Sequence, residues 1–148
     1  MAEYRDYLPQ IDGDFFTTDG GLETTLVFHD GINLPHFAAF DLMKPKDGRQ
    51  RLHEYFDPYI GIAWEAGAGF ILESPTWRAN TDWGQRLGYS ASTLEEANRD
   101  VITLIHDVRD AHEGNLPIVV SGCIGPRGDG YDHGDEYERS DRYHLRRH

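Results

Sequence analysis

Pro117-Ile118-Val119-Val120-Ser121-Gly122 decides the fold class. The run is uninterrupted and β-branched, the pattern of a strand covered on both faces in a parallel sheet rather than the alternating strand of a one-sided antiparallel one. Immediately before it, residues 93–114 carry the clearest helical pattern, with Ala97, Val101, Leu104, Ile105 and Val108 on one face. Thr93 and Glu96 make a capping-box pair at its start, and Gly114 is its natural stop. Further back, Phe70-Ile71-Leu72-Glu73-Ser74 is a second strand closed by Pro75. Residues 49–67 place Leu52, Tyr55, Phe56, Tyr59 and Ala63 on one helical face, with Pro58 predicting a kink or a new turn. Asp14-Phe15-Phe16-Thr17-Thr18 reads as a buried first strand. Residues 29–48 and 76–92 read as long loops without regular elements. The order strand, loop, helix, strand, loop, helix, strand argues for an α/β fold of parallel strands joined by right-handed crossovers.

The bulk properties narrow the function. The chain has 148 residues, a formal net charge of -12 and 12% aromatics. Its pI is near 4.9 and its mean hydropathy is -0.62. A chain this acidic repels phosphate backbones and anionic lipid, so neither nucleic acid nor a membrane is expected as a partner. The single cysteine, Cys123, makes no internal disulfide, residues 1–13 form a charged arm without an apolar core, and no stretch approaches the ~20 apolar residues of a membrane span. The cytoplasm is the expected compartment. Residues 132–148 are almost entirely charged residues, His and Tyr; this polar divergent tail shows no amphipathic face and is expected to be frayed or disordered.

Three strand ends carry the chemistry-bearing residues. They are Thr18-Asp19-Gly20-Gly21-Leu22-Glu23-Thr24, Phe70-Ile71-Leu72-Glu73-Ser74-Pro75-Thr76, and Ser121-Gly122-Cys123-Ile124-Gly125-Pro126-Arg127-Gly128. Asp19 suits the ammonium group of an amino acid, or else merely opens a Gly-rich turn. Glu23 is a ligand contact or a carboxylate favoured in a first helical turn. Glu73 points into a pocket or pairs with a neighbouring Arg. Trp77 and Trp83 wall a pocket or anchor a loop. Cys123 reads as a small, partly buried residue, not a nucleophile. His144 and His148 have a spacing that would suit a metal on a helix, but they lie in the tail and are not assigned as ligands. Arg127-Gly128-Asp129 is taken as a chance match to a cell-adhesion tripeptide.

Together, in this order and spacing, the three pieces resemble the homocysteine S-methyltransferase family over residues 14–131. The resemblance implies the N-terminal portion of a (β/α)8 TIM-type barrel, about three parallel strands with intervening helices, from a family whose barrels run to about 300 residues with their sites at the strands' C-terminal ends. It implies transfer of a methyl group to the homocysteine thiol, giving methionine, with betaine or a sulfonium compound as donor. It also implies substrate contacts at Asp19, Gly20, Gly21, Glu23 and Thr76, and a zinc ion held by three cysteine thiolates.

The departures from the family pattern concern the metal. The family's zinc cysteines lie in the second half of the barrel, and Cys123 matches neither of their motifs. No metal ligand and no catalytic residue is therefore assigned, and zinc is expected of the full-length family but not of this chain. The expectation is a truncated member, inactive alone, whose residues 137–148 reflect a frame change or an artificial end. A sheet ending after three strands has an open edge, so self-association through it is expected. The alternatives are a non-catalytic amino-acid-binding module and an aldolase-like barrel lyase in which strand-end acids move protons.

Overall fold

The computed structural model describes residues 7–112, 114 and 116–130. Three strands, β1 (Phe16–Thr18), β2 (Gly69–Glu73) and β3 (Ile118–Ser121), form one parallel sheet in the order β1-β2-β3. Helix α1 (Leu22–Thr24) follows β1 and runs on into a π-helical turn, Thr25–His29. Helix α2 (Gly48–Glu65) leads into β2, and α3 (Thr81–Arg86) and α4 (Ala91–Ala111) lead into β3. Three consecutive parallel strands with helices between them make an α/β fold consistent with the N-terminal part of a (β/α)8 barrel. Among the described residues no helix is long and apolar enough to cross a membrane.

The core lies between the sheet and the two long helices. Helix α2 buries Leu52, Phe56 and Ile60, α4 buries Leu104, Ile105 and Val108, and both sets meet Phe70 and Leu72 of β2. Side chains of this size contribute roughly 1.5–3 kcal/mol each when fully buried, so this three-way contact dominates stability. The register sets Phe16 opposite Gly69. A Cβ on Gly69 would lie 2.2 Å from the Phe16 ring, so glycine at 69 is what lets that ring lie across β2.

Several expectations need correction. The first strand is not buried: among the described residues it is an edge strand, three residues long and half-exposed, and Phe15 stays outside it, 71% exposed. Residues 29–48 are not irregular throughout, because Pro35–Phe37 and Ala39–Met43 form 3-10 turns that put Ala39, Phe40 and Leu42 into the core. Within residues 76–92, α3 forms because the Asn80 side chain accepts from the backbone N–H groups of Asp82 and Trp83.

The capping box of α4 is Ser90 with Thr93, not Thr93 with Glu96. The helix starts three residues earlier, where the Ser90 hydroxyl accepts from the Thr93 N–H at 3.2 Å and Thr93 returns the bond. Helix α2 runs through Pro58 rather than restarting there. Pro58 is exposed, so the carbonyl one turn back that loses its donor has access to water. The N-terminal arm contains a short 3-10 turn, Pro9–Ile11. The tail, 132–148, with His144 and His148, lies outside the described residues.

Candidate functional site

All three strands end on the same side of the sheet, and their C-terminal ends surround one cavity of about 180 Å³. At about 30 Å³ of liquid per water this is room for roughly six waters, the scale of a small amino acid. Its lining brings together Asp19, Gly20, Gly21 and Glu23 from the end of β1 and the start of α1, Glu73 from β2, Trp77 from the loop after β2, and Cys123 from beyond β3.

Asp19 follows β1 directly. It accepts a 2.9 Å hydrogen bond on Oδ2 from the Tyr55 hydroxyl of α2. Burial pushes its carboxyl above the ordinary range, and the Glu73 charge adds to this, while the Tyr55 bond and its own backbone N–H oppose it. Glu23, in the first turn of α1, is also raised, chiefly by burial and further by the Asp19 and Glu73 charges. Its own backbone N–H and the Arg78 charge pull the other way. Three acids therefore share one small volume, and among the described residues no lysine or arginine lines it. Such a site attracts a cation and resists a second anion.

Cys123 faces the same cavity, and its thiol is pushed up to about 12 by burial, by a hydrogen bond to Glu73, and by the Glu73 and Glu23 charges. It remains a protonated thiol at neutral pH.

Thr76 stands behind the cavity wall. Its hydroxyl donates to the Cys123 carbonyl at 2.7 Å and lies 2.8 Å from the Ser74 hydroxyl, which accepts from the Cys123 N–H at 3.0 Å. Because Thr76 has one hydroxyl proton and gives it to Cys123, Ser74 is the donor between the two hydroxyls. The structure thus joins four of the five sequence-selected residues at the cavity and gives Thr76 the work of tying β2's end to β3's end.

The two tryptophans separate. Trp77 walls the cavity, whereas Trp83 is buried as a loop anchor, its indole N–H donating to the Gly128 carbonyl at 2.6 Å. Arg78 is buried between them, its guanidinium 4.4 Å from the Trp77 ring and 3.8 Å from the Trp83 ring, with Asp129 at 3.3 Å. Arg127 pairs with Asp82 at 2.8 Å, so both charged residues of the Arg-Gly-Asp tripeptide are engaged within the chain. Glu73 lines the cavity and forms no salt bridge among the described residues.

Sequence reasoning missed Tyr55, Ser74 and Arg78 as parts of the site. Tyr55 was assigned to the core by its spacing. The only hint was a hydroxyl at a position where leucine or phenylalanine would pack as well.

The donor set for zinc does not fit. A three-thiolate site needs three cysteines, and the chain has one. Its thiol stays protonated beside two carboxylates. Among the described residues no group of three or more His, Cys, Asp and Glu is arranged to hold a metal.

Neither the curated proteins nor the solved structures contain a match to this chain. The family described as Homocysteine S-methyltransferase does match, over residues 16–147, a span that takes in all three strands and every cavity residue. The chain belongs to the homocysteine S-methyltransferase family.

Proposed function

We propose that the cavity is the amino-acid half of a methyl-transfer site and holds L-homocysteine by its ammonium group at Asp19 and Glu23. The observation that carries this reading is the convergence of Asp19, Glu23 and Glu73 on one small cavity at the strands' C-terminal ends. A cation entering there gains Coulomb energy from carboxylates in a medium less polar than water. Burial is the main reason that both carboxyls are raised, and the cation also relieves the smaller contribution of their mutual repulsion. Gly20 and Gly21 line the cavity, and Thr76 holds the wall behind.

The reaction proposed for the completed site is transfer of a methyl group to the homocysteine thiol, giving methionine. Zinc, where bound, supplies a thiolate at neutral pH. These residues do the opposite to a thiol: burial and the Glu73 and Glu23 carboxylates disfavour a thiolate at Cys123. The 148-residue chain is therefore proposed to bind the amino acid without turning it over, with the metal thiolates coming from elsewhere. A reducing compartment, the cytoplasm, suits both the substrate thiol and the single cysteine. The reading as a non-catalytic amino-acid-binding module is favoured by the same lone, protonated Cys123. Nothing in the geometry favours the lyase.

The test is ligand-induced stabilisation of the 148-residue chain, without metal, by millimolar L-homocysteine. A ligand at 100 times its Kd stabilises the folded state by about 2.7 kcal/mol. A raised Tm with homocysteine, lost in Asp19→Asn, supports the reading; no shift with homocysteine or methionine refutes it.

A further inference from the structure

We infer that Tyr55 is the positioning residue of this site: its buried hydroxyl holds the Asp19 carboxylate in place to receive the ammonium group of a ligand. The inference deepens the proposed function and rests on it for the ligand, but the contact itself can be tested without one.

Two residues one helical turn apart on α2 brace two consecutive residues of the strand-end loop. Tyr55, 5% exposed, reaches Asp19 Oδ2 at 2.9 Å. Tyr59 places its hydroxyl against Gly20, 2.7 Å from where a Cβ would stand. The i, i+4 spacing sets both rings on one helix face. Their centroids are 5.2 Å apart, and Phe56 packs edge-on to Tyr55 at 5.1 Å. Burial and packing on two sides restrict the ring, and with it the position of its hydroxyl.

Asp19 itself lies past the end of β1 with two glycines after it, and a carboxylate on such a segment would otherwise swing between rotamers. With one oxygen committed to Tyr55, its remaining lone pairs serve the cavity. Fixing a charged group before the ligand arrives removes an ordering cost from binding.

The direction of proton exchange agrees with this geometry. The Tyr55 phenol is raised well above its usual value by burial, then by the Asp19 charge and the hydrogen bonds to Asp19 and Tyr59, so it stays a donor at every working pH. The charged and titratable groups around Asp19 are Glu23 of α1, Glu73 of β2, Cys123 after β3, and Tyr55 and Tyr59 of α2, with Arg78 acting on Glu23. Of these, burial aside, Glu73 raises Asp19 and Tyr55 lowers it.

The deciding measurement is a 13C NMR titration of the Asp19 carboxyl in the ligand-free chain, in wild type and Tyr55→Phe. The Asp19 midpoint should rise in the variant, because the bond that lowers it is gone. In wild type the Tyr55 Cζ resonance should follow Asp19 with the same midpoint. An Asp19 midpoint indifferent to Tyr55, with a Tyr55 resonance blind to Asp19, overturns the inference.

With ligand present, Tyr55→Phe should weaken homocysteine binding about tenfold, the order of one lost hydrogen bond to a charged group. The acid limb of binding should move to higher pH in step with Asp19, and the substitution should be silent in an Asp19→Asn background. A merely structural role would weaken binding at every pH and leave the limb unmoved. If wild type binds no amino acid while Asp19 still responds to Tyr55, the cavity assignment fails and the positioning contact stands. Should Tyr55→Phe not fold, the wild-type coupling between the two resonances decides the matter.

Discussion

The Thr76 hydroxyl and the Cys123 carbonyl lie 2.7 Å apart across the ends of β2 and β3, and this bond closes the wall behind the cavity. Around it, Ser74 Oγ accepts from the Cys123 N–H, so two hydroxyls satisfy both backbone groups of one residue on the neighbouring strand-end loop.

Thr76→Val keeps the shape and removes the hydroxyl. The Cys123 carbonyl then loses its donor and Ser74 loses an acceptor in a buried place, which costs about 1–3 kcal/mol. Thr76→Ser should retain most of the stability. Urea midpoints of the three proteins check this; a valine variant as stable as wild type would show that the hydroxyls are not what joins the two strand ends.

Asp19 and Glu23 should both cost stability at neutral pH. Folding raises each carboxyl above its unfolded value, near 3.8 and 4.5, so the folded state holds the proton more tightly. Their contribution is neutral below those values and turns unfavourable as pH climbs through the raised folded values. Asp19→Asn and Glu23→Gln should therefore raise the Tm at pH 7, with the gain fading below about pH 4. Both should weaken amino-acid binding, the usual exchange of stability against a charged site. A lower Tm at pH 7 would mean that the favourable contacts of each acid outweigh the cost of burying its charge.

Gly20→Ala should be destabilising for a reason specific to one atom. The new Cβ would meet the Tyr59 hydroxyl oxygen at 2.7 Å, the nearest neighbour by more than half an ångström. Overpacking of this kind costs about 1–3 kcal/mol. Tyr59→Phe removes that oxygen and should recover much of the loss, so a double-mutant cycle between residues 20 and 59 is the measurement. Additive effects would place the strain elsewhere.

Arg78→Lys should be less stable than Arg78→Met. The guanidinium carbon lies 4.4 Å from the Trp77 ring centroid and 3.8 Å from that of Trp83, and its Nε and Nη1 are buried without a hydrogen-bond partner among the described residues. Lysine keeps the buried charge but loses the planar stacking, whereas methionine fills the slot without a charge to desolvate. Thermal melts of the two variants rank them, and the reverse order would mean that charge, not stacking, holds the slot.

Self-association is expected through sheet edges. Among the described residues β1 and β3 each pair on one side only, which leaves backbone donors and acceptors on the other. Sedimentation velocity should show concentration-dependent dimers or larger species. A monomer throughout would mean that other parts of the chain cover the edges.

The sequence by itself determined the alternation of strands and helices, because that depends on local periodicity. The β-branched run at 118–121 and the apolar stripe from Ala97 to Val108 declare their states without help from distant residues. Asp19, Gly20, Gly21 and Glu23, neighbours in the chain, were singled out together, and they line one cavity. Tertiary structure alone decided the rest. Among the described residues, strand order made β1 an edge strand and left Phe15 exposed, which no local pattern announces. The short turns at 35–43 became regular only because Phe40 and Leu42 found a core to enter. Tyr55 and Asp19 are 36 residues apart, and Thr76 and Cys123 are 47 apart. A hydrogen bond between such residues depends on helix packing and sheet register, and neither is written in the residues that make the bond.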